Sequence, residues 1–269
     1  DGTTVFTPTN LTSTSNGVTT SDIQLLTAQP ASTNTESTIG TISATDGAAS
    51  VTSLALIGNP VDVDSLVDVP ANHGDDTGAG GEVRGNYCTL NPLDNESHTL
   101  SNGNLDITNF GSARQTHTTI LPSSGKWYAE FYFSAAPNDV QIGIANINGT
   151  SYGGYDANSW GVISINGNLI HNNSQSSYGS SFTTGDTIMV ALDLDNGKWY
   201  AGKNGTWFNS GDPANGTNPA HTGLSGNIGF MVGSNNTNGF VSCNFGARSF
   251  SYTPPSGYKA LCDTNLPSA

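Results

Sequence analysis

Two carboxylates two residues apart, Asp193 and Asp195, precede Asn196-Gly197 in the run ALDLDNG. A D-x-D-N-G stretch offers the oxygen ligands of a calcium loop, yet it lacks the later bidentate Glu and the spacing of an EF-hand. Alternation along a strand puts both Asp side chains on one face, expected to be the exposed face of a hairpin. Glycoside hydrolysis needs two carboxylates flanking a cleft, about 5–10 Å apart, and no such pair is identified. Glu130 sits inside KWYAEFYF, where a hydrogen-bonded structural carboxylate is expected rather than an acid catalyst. The histidines (His73, His98, His117, His171, His221) are scattered, with no H-E-x-x-H and no pair four residues apart. No G-x-S-x-G elbow supplies a hydrolase nucleophile. The expectation is a protein with no catalytic residues, no metal and no cofactor.

The loops carry a different chemistry. INGTSYGGYDANS (147–159) sets Tyr152, Tyr155 and Asp156 among glycines, and HNNSQSSYGSS (171–181) carries Asn172, Asn173, Gln175 and Tyr178. The long NSGDPANGTNPAHTG (209–223) adds Asp212, Asn215 and His221. Tyr beside Ser, Gly and Asn combines a rigid aromatic surface with adaptable hydrogen bonding, as antibody paratopes do. These loop residues are the candidate ligand-binding surface. Trp207, beside Phe208 just after a hairpin, is read as packing.

Such loops need strands to hold them. The chain is rich in Gly, with 33 residues, and in Ser, Thr and Asn, a composition that forms helices poorly and turns readily. From Asn91 onward strand signals recur: GNLDITNF (103–110), KWYAEFYF (126–133), VQIGIA (140–145), WGVISI (160–165) and LIHN (169–172). TIMVALDLD (187–195), KWYAGK (198–203), NIGFMVG (227–233) and FVSCNF (240–245) continue the series. Strands at this spacing, broken by Asn-Gly turns, predict an all-β antiparallel two-sheet sandwich. Asn-Gly favours type I′ hairpins, in which both residues take positive φ. On that basis 163–170 and 191–203 each read as a hairpin. The pentapeptide GKWYA occurs at 125–129 and again at 197–201. Its flanks differ, so duplication is not expected. Alternation puts Trp127, Phe131 and Phe133, and likewise Leu192, Leu194 and Trp199, on inward faces as core.

Upstream the texture changes. Residues 1–62 are Thr/Ser-rich with short apolar bursts such as TTVF (3–6) and VTSLALIG (51–58), expected to be a small β-rich or extended assembly region. Residues 63–91, with Pro70 and Gly78, Gly80, Gly81 and Gly85, read as a linker or wandering loop. The sandwich is expected over 92–263, with a short tail at 264–269. Twenty-one acids against 7 bases give a net charge of −14, which argues against nucleic acid and anionic membrane surfaces. No apolar run is long enough to span a bilayer as a helix. Because the chain begins at Asp1, it reads as a fragment or processed product. Three cysteines are no disulfide framework, and none forms a C-x-x-C pair.

The succession GKWYAEFYF, VQIGIA, WGVISI, GDTIMVALDLDNGKWYAGKNGTWF (185–208), GFMVG and VSCNFG resembles the SPRY domain. The resemblance covers about 92–263, and its most specific part is the GD-x-I-x-V-ALDLDNG hairpin followed by KNG. It implies a two-sheet antiparallel sandwich that recognises partners through loops at one edge, without catalysis. The accompanying blocks GGEVRGNYCTLNPL (80–93), NGTWFNSGDPANGTNPAHTGLSG (204–226) and PSGYKALCDTNLP (255–267) resemble a subset found in structural proteins of tailed bacteriophages. That implies a virion-surface protein, a tail or capsid fibre or decoration module, contacting host-surface glycan or protein. Its implied partners are other virion proteins and copies of itself, as a trimer. The alternative is a secreted or cell-surface bacterial carbohydrate-binding module. Because SPRY termini lie near each other, Cys88 and Cys262 are expected to be neighbours or a disulfide. Cys243 reads as an inert buried thiol.

Overall fold

The computed structural model describes residues 76–267, apart from 83–84, 95–97, 109–113, 136–138, 150 and 235–238. The N-terminal region expected over 1–62 and His73 lie outside the described residues. All that follows concerns the unit Pro70–Ala269.

The described residues form two sheets and no α-helix. One sheet runs β1 (Thr99–Ser101), β2 (Asp106–Thr108), β14 (Phe240–Asn244), β4 (Lys126–Ala135), β9 (Thr187–Asp193), β10 (Lys198–Lys203), β11 (Thr206–Trp207). The short β12 (His221–Thr222) also pairs with β10, and β15 (Lys259–Ala260) runs parallel to β4. The other sheet runs β3 (Arg114–His117), β13 (Ile228–Ser234), β5 (Val140–Asn146), β6 (Ser159–Ile163), β7 (Leu169–His171), β8 (Ser174–Ser176). The remaining pairings are antiparallel, so the fold is the expected two-sheet sandwich. Strands β3 and β8, Arg-Gln-Thr-His and Ser-Gln-Ser, carry no apolar alternation. Backbone pairing with β13 and β7 makes them strands.

The GKWYA repeat has a geometric explanation. Its two copies flank β9 in one register: Trp127 and Trp199 both pair with Leu192, Tyr128 and Tyr200 with Ala191, Ala129 and Ala201 with Val190. The turns preceding the copies are tied as well, because the Gly125 N–H donates to Asp195 Oδ1 at 2.7 Å. The inward residues Trp127, Phe131, Phe133, Leu192, Leu194 and Trp199 are buried in the core between the sheets. At roughly 25 cal/mol per Å2 of apolar surface removed from water, each large side chain contributes about 2–3 kcal/mol.

The outward face of the same strands departs from expectation. Tyr128, Met189, Ala191 and Tyr200 are also buried, under Phe250, Tyr252 and Tyr258 of the C-terminal segment. Phe250 meets Tyr128 edge-on, with ring centroids 4.8 Å apart. Asp193, expected on an exposed face, is therefore only 1% exposed. It accepts hydrogen bonds from the Asn196 backbone at 3.0 Å and side chain at 2.9 Å, and its other neighbour is Lys126 Nζ at 3.2 Å. The D-x-D-N-G run is thus a braced turn.

The linker expected at 63–91 is, over its described part, built into the sandwich. Cys88 and Leu90 are fully buried, Cys88 N–H bonds Leu261 O at 2.9 Å, and Asp263 Oδ1 accepts the Asn86 N–H at 2.8 Å. Its glycines are needed for close approach: a Cβ on Gly80, which has φ +82°, would stand 2.8 Å from the Arg248 carbonyl. Among the described Asn-Gly turns, Asn102-Gly103 and Asn204-Gly205 have positive φ at both residues. Before Gly167 and Gly197 the loops are longer than two residues, so only the glycine takes that conformation.

Candidate ligand-binding site

Strands β6 and β7 pair so that Trp160 stands opposite His171 and Val162 opposite Leu169, all on the inner face of their sheet. Here the sheet reaches its β8 edge and overhangs β10 and β12, where His221 pairs with Trp199. The overhang leaves a shallow cleft of roughly 230 Å3 floored by Trp199 and rimmed by Ser174, Gln175 and Ser176. The Trp160 and His171 rings stack at 4.7 Å, 8° from parallel. The His221 ring lies tilted 5.7 Å from Trp160 and 5.1 Å from His171. All three rings are half-buried.

Hydrogen bonding fixes part of this cluster. His171 Nδ1 lies 2.9 Å from the Ser159 carbonyl. A carbonyl only accepts, so Nδ1 carries a proton. Burial, and after it the neighbouring His171, lowers the His221 pKa below its ordinary value. The indole Nε1 atoms of Trp160 and Trp199 are buried without a hydrogen-bond partner. Trp127 Nε1, by contrast, donates to Ser124 O at 2.8 Å. No Asp, Glu, Lys or Arg lines the cleft.

Of the loop residues expected to bind, Gln175 and His221 meet in this cleft. Tyr152, Tyr155, Asp156, Asn172 and Asn173 gather instead on the other face of the sheet, around the β7–β8 turn. Tyr152 and Tyr155 have ring centroids 5.0 Å apart, Tyr155 is 45% exposed, and the Tyr152 hydroxyl donates to Asn173 Oδ1 at 3.3 Å. Asn172 and Asn173 form the turn itself, with φ 49° and 56°. Asp156 braces the loop: its Oδ1 accepts the Asn158 N–H at 2.8 Å, and its carbonyl accepts that of Asn172 at 3.1 Å. Glycines let this loop lie flat on the outer face of the second sheet; a Cβ on Gly233 would stand 2.5 Å from Gly153 N.

Other expectations are corrected or relocated. Tyr178 is not loop surface: it is buried in the core, its ring meets Phe208 edge-on, and its hydroxyl oxygen accepts the Ala201 N–H at 3.3 Å. Burial pushes its pKa up to about 12. Asp212 and Asn215 bind each other, with Asn215 Nδ2 donating to Asp212 Oδ2 at 2.7 Å, and brace the 211–218 loop by Tyr258. The disulfide alternative for Cys88 and Cys262 does not occur, and all three cysteines are free and buried. Tyr87 stands opposite Cys262 and Cys88 bonds Leu261, so the two thiols are one residue out of register and face opposite sides. Burial pushes the Cys88 thiol up to about 11.

Trp160 and His171 escaped the sequence reading because each lies in a run read as plain strand. The available signal was their inward parity with Val162 and Leu169. Among the described residues, no group of three or more His, Cys, Asp or Glu is placed to hold a metal ion. Among them, no helix is long and apolar enough to cross a membrane.

The fold defines a two-sheet antiparallel β-sandwich with an aromatic cleft at one edge. Within it, residues 126–211, from β4 to the turn after Phe208, match the SPRY domain. The chain is similar to the crystal structure of the SPRY domain of human HERC1, with a TM-score of 0.48 and 20% identity, over 58% of this chain and 96% of that one. No curated protein matches the chain.

Proposed function

We propose that this chain is a non-catalytic virion structural protein of a tailed phage, a fibre or decoration module whose sandwich is displayed to recognise the host surface. The recognition role rests on the cleft, where half-buried aromatic and imidazole rings line an open concavity with a polar rim. A concave, largely apolar surface with a few polar groups is the usual form of a small-ligand site. The virion setting is supported by the blocks 80–93, 204–226 and 255–267. Described residues of the three blocks meet: Asn86 Nδ2 donates to Asp263 Oδ2 at 2.7 Å, and the Tyr258 hydroxyl donates to Pro213 O at 3.3 Å. The partners in this reading are other virion proteins, further copies of the chain and a host-surface glycan or protein. Immunogold microscopy with antibodies to the chain, on phage particles carrying it, is the test, together with binding of the purified chain to the cells they infect. Gold on the tail or capsid and saturable cell binding are expected. Unlabelled particles would end the virion assignment, and labelled particles whose purified chain ignores host cells would end the recognition role.

A further inference from the structure

We infer that the Trp160–His171–His221 cleft, taken as the recognition site just proposed, seats a single uncharged sugar ring. Three features of the site carry this. First, the stacked Trp160 and His171 rings, with His221 tilted beside them, offer half-buried apolar surface to the C–H face of a pyranose. Second, Ser174 and Ser176 on the exposed β8, which pair with the inward-facing His171 and Leu169, supply rim hydroxyls that both donate and accept, as the hydroxyls of a sugar require. Third, the cleft, of roughly 230 Å3, lies below the range of about 300–1,000 Å3 typical of larger ligands.

Charge excludes the competitors. A phosphate, carboxylate or sulfated sugar would find no Lys or Arg in the lining, on a chain with net charge −14. A cationic group would find no carboxylate. Burial lowers the pKa of His221 and so disfavours its charged form. An extended peptide would pair with the edge of β8 in the plane of the sheet. The stacked Trp160 and His171 rings, on the inner face below, would then stay uncovered.

The test follows the four indole N–H resonances of the full chain by NMR while methyl glycosides of glucose, galactose, mannose and N-acetylglucosamine are added, with methyl glucuronide and trialanine as controls. Trp160 and Trp199 should shift with at least one neutral glycoside, with a dissociation constant on the order of 1 mM. Trp127, already bonded to Ser124, should not. Ser174→Val, on an exposed strand, and His221→Ala should each weaken the response at least tenfold. The inference is overturned if no neutral glycoside moves the two signals, if glucuronide or trialanine moves them equally, or if both variants respond like the parent. Host-cell binding separates this from the broader reading. Binding kept by both cleft variants but lost in Tyr155→Ala leaves recognition standing and removes the cleft, whereas no binding by the parent chain removes recognition itself.

Discussion

Glu130 on β4 accepts the backbone N–H of Ser251 on Oε2 and of Tyr252 on Oε1, each at 2.8 Å. The Tyr128 hydroxyl adds a third bond to Oε1 at 2.9 Å. One mid-strand carboxylate thus pins the C-terminal segment over the outer face of the first sheet, and that segment buries Tyr128 and Tyr200. Hydrogen bonds to a charged acceptor contribute about 1.5–3 kcal/mol each, and orphaning a buried donor costs a similar amount. Glu130→Ala should therefore lower stability by about 3 kcal/mol. Glu130→Gln, which keeps one acceptor oxygen, should lose roughly half of that. Urea unfolding monitored by fluorescence measures both, and a midpoint unchanged in Glu130→Ala would show that the segment is held by aromatic packing alone.

Two loop tyrosines separate stability from recognition. Tyr178 fills core beside Phe208, so Tyr178→Ala should cost about 3–4 kcal/mol by leaving a cavity and an unpaired Ala201 N–H. Tyr155 is 45% exposed, and Tyr155→Ala should change stability by less than about 0.5 kcal/mol. Thermal unfolding of the two variants side by side checks this; equal losses would contradict the burial difference.

That contrast shows what the sequence could and could not reveal. Period-two alternation placed Trp127, Phe131, Leu192 and Trp199 correctly, because strand parity is a local property. It could not show that Tyr128 and Asp193 are covered as well, since the covering residues Phe250 and Tyr258 lie far along the chain. The same limit explains Tyr178. Its Ser/Gly-rich neighbours read as surface, but the segment after β8 turns inward and bonds β10. Gln175 and His221 were legible as polar loop residues. Their meeting with Trp160 and His171 depends on where one sheet overhangs the other, which no spacing encodes.

Acid should weaken the fold through His98. Burial lowers its pKa to about 4, partly offset by a hydrogen bond with the Gln115 backbone. The unfolded imidazole takes up a proton near pH 6.5, while the folded one stays neutral until about pH 4. Between those values the unfolded state binds more protons, so stability falls as pH falls. The stabilisation is fully present above pH 6.5, and its loss amounts to at most about 3 kcal/mol by pH 4. His221 acts in the same direction, since its pKa is also lowered. Melting temperatures measured from pH 7.5 to 4 should decline in the parent and decline less steeply in His98→Gln. Parallel curves would assign the acid sensitivity elsewhere.

The Tyr152–Tyr155 loop and the aromatic cleft lie on opposite faces of β6 and β7, and one glycine can uncouple them. Gly233 on β13 faces outward, where the backbone of Gly153 passes so close that an added Cβ would stand 2.5 Å from its nitrogen and 3.2 Å from Gln115 Cβ. Backbone on one side and a packed side chain on the other leave little room to yield, and overpacking of this kind costs about 1–3 kcal/mol. Gly233→Val should therefore lift the loop, shifting the amide resonances of 151–156 and lowering stability by about 2 kcal/mol. The inner face of the sheet, with Trp160, His171 and their stacking, carries no part of that strain. The indole signals of Trp160 and Trp199 should stay in place, and so should any response they show to a sugar. If the loop and indole resonances move together, the two faces are mechanically one site, and Tyr155 belongs to whatever the cleft binds.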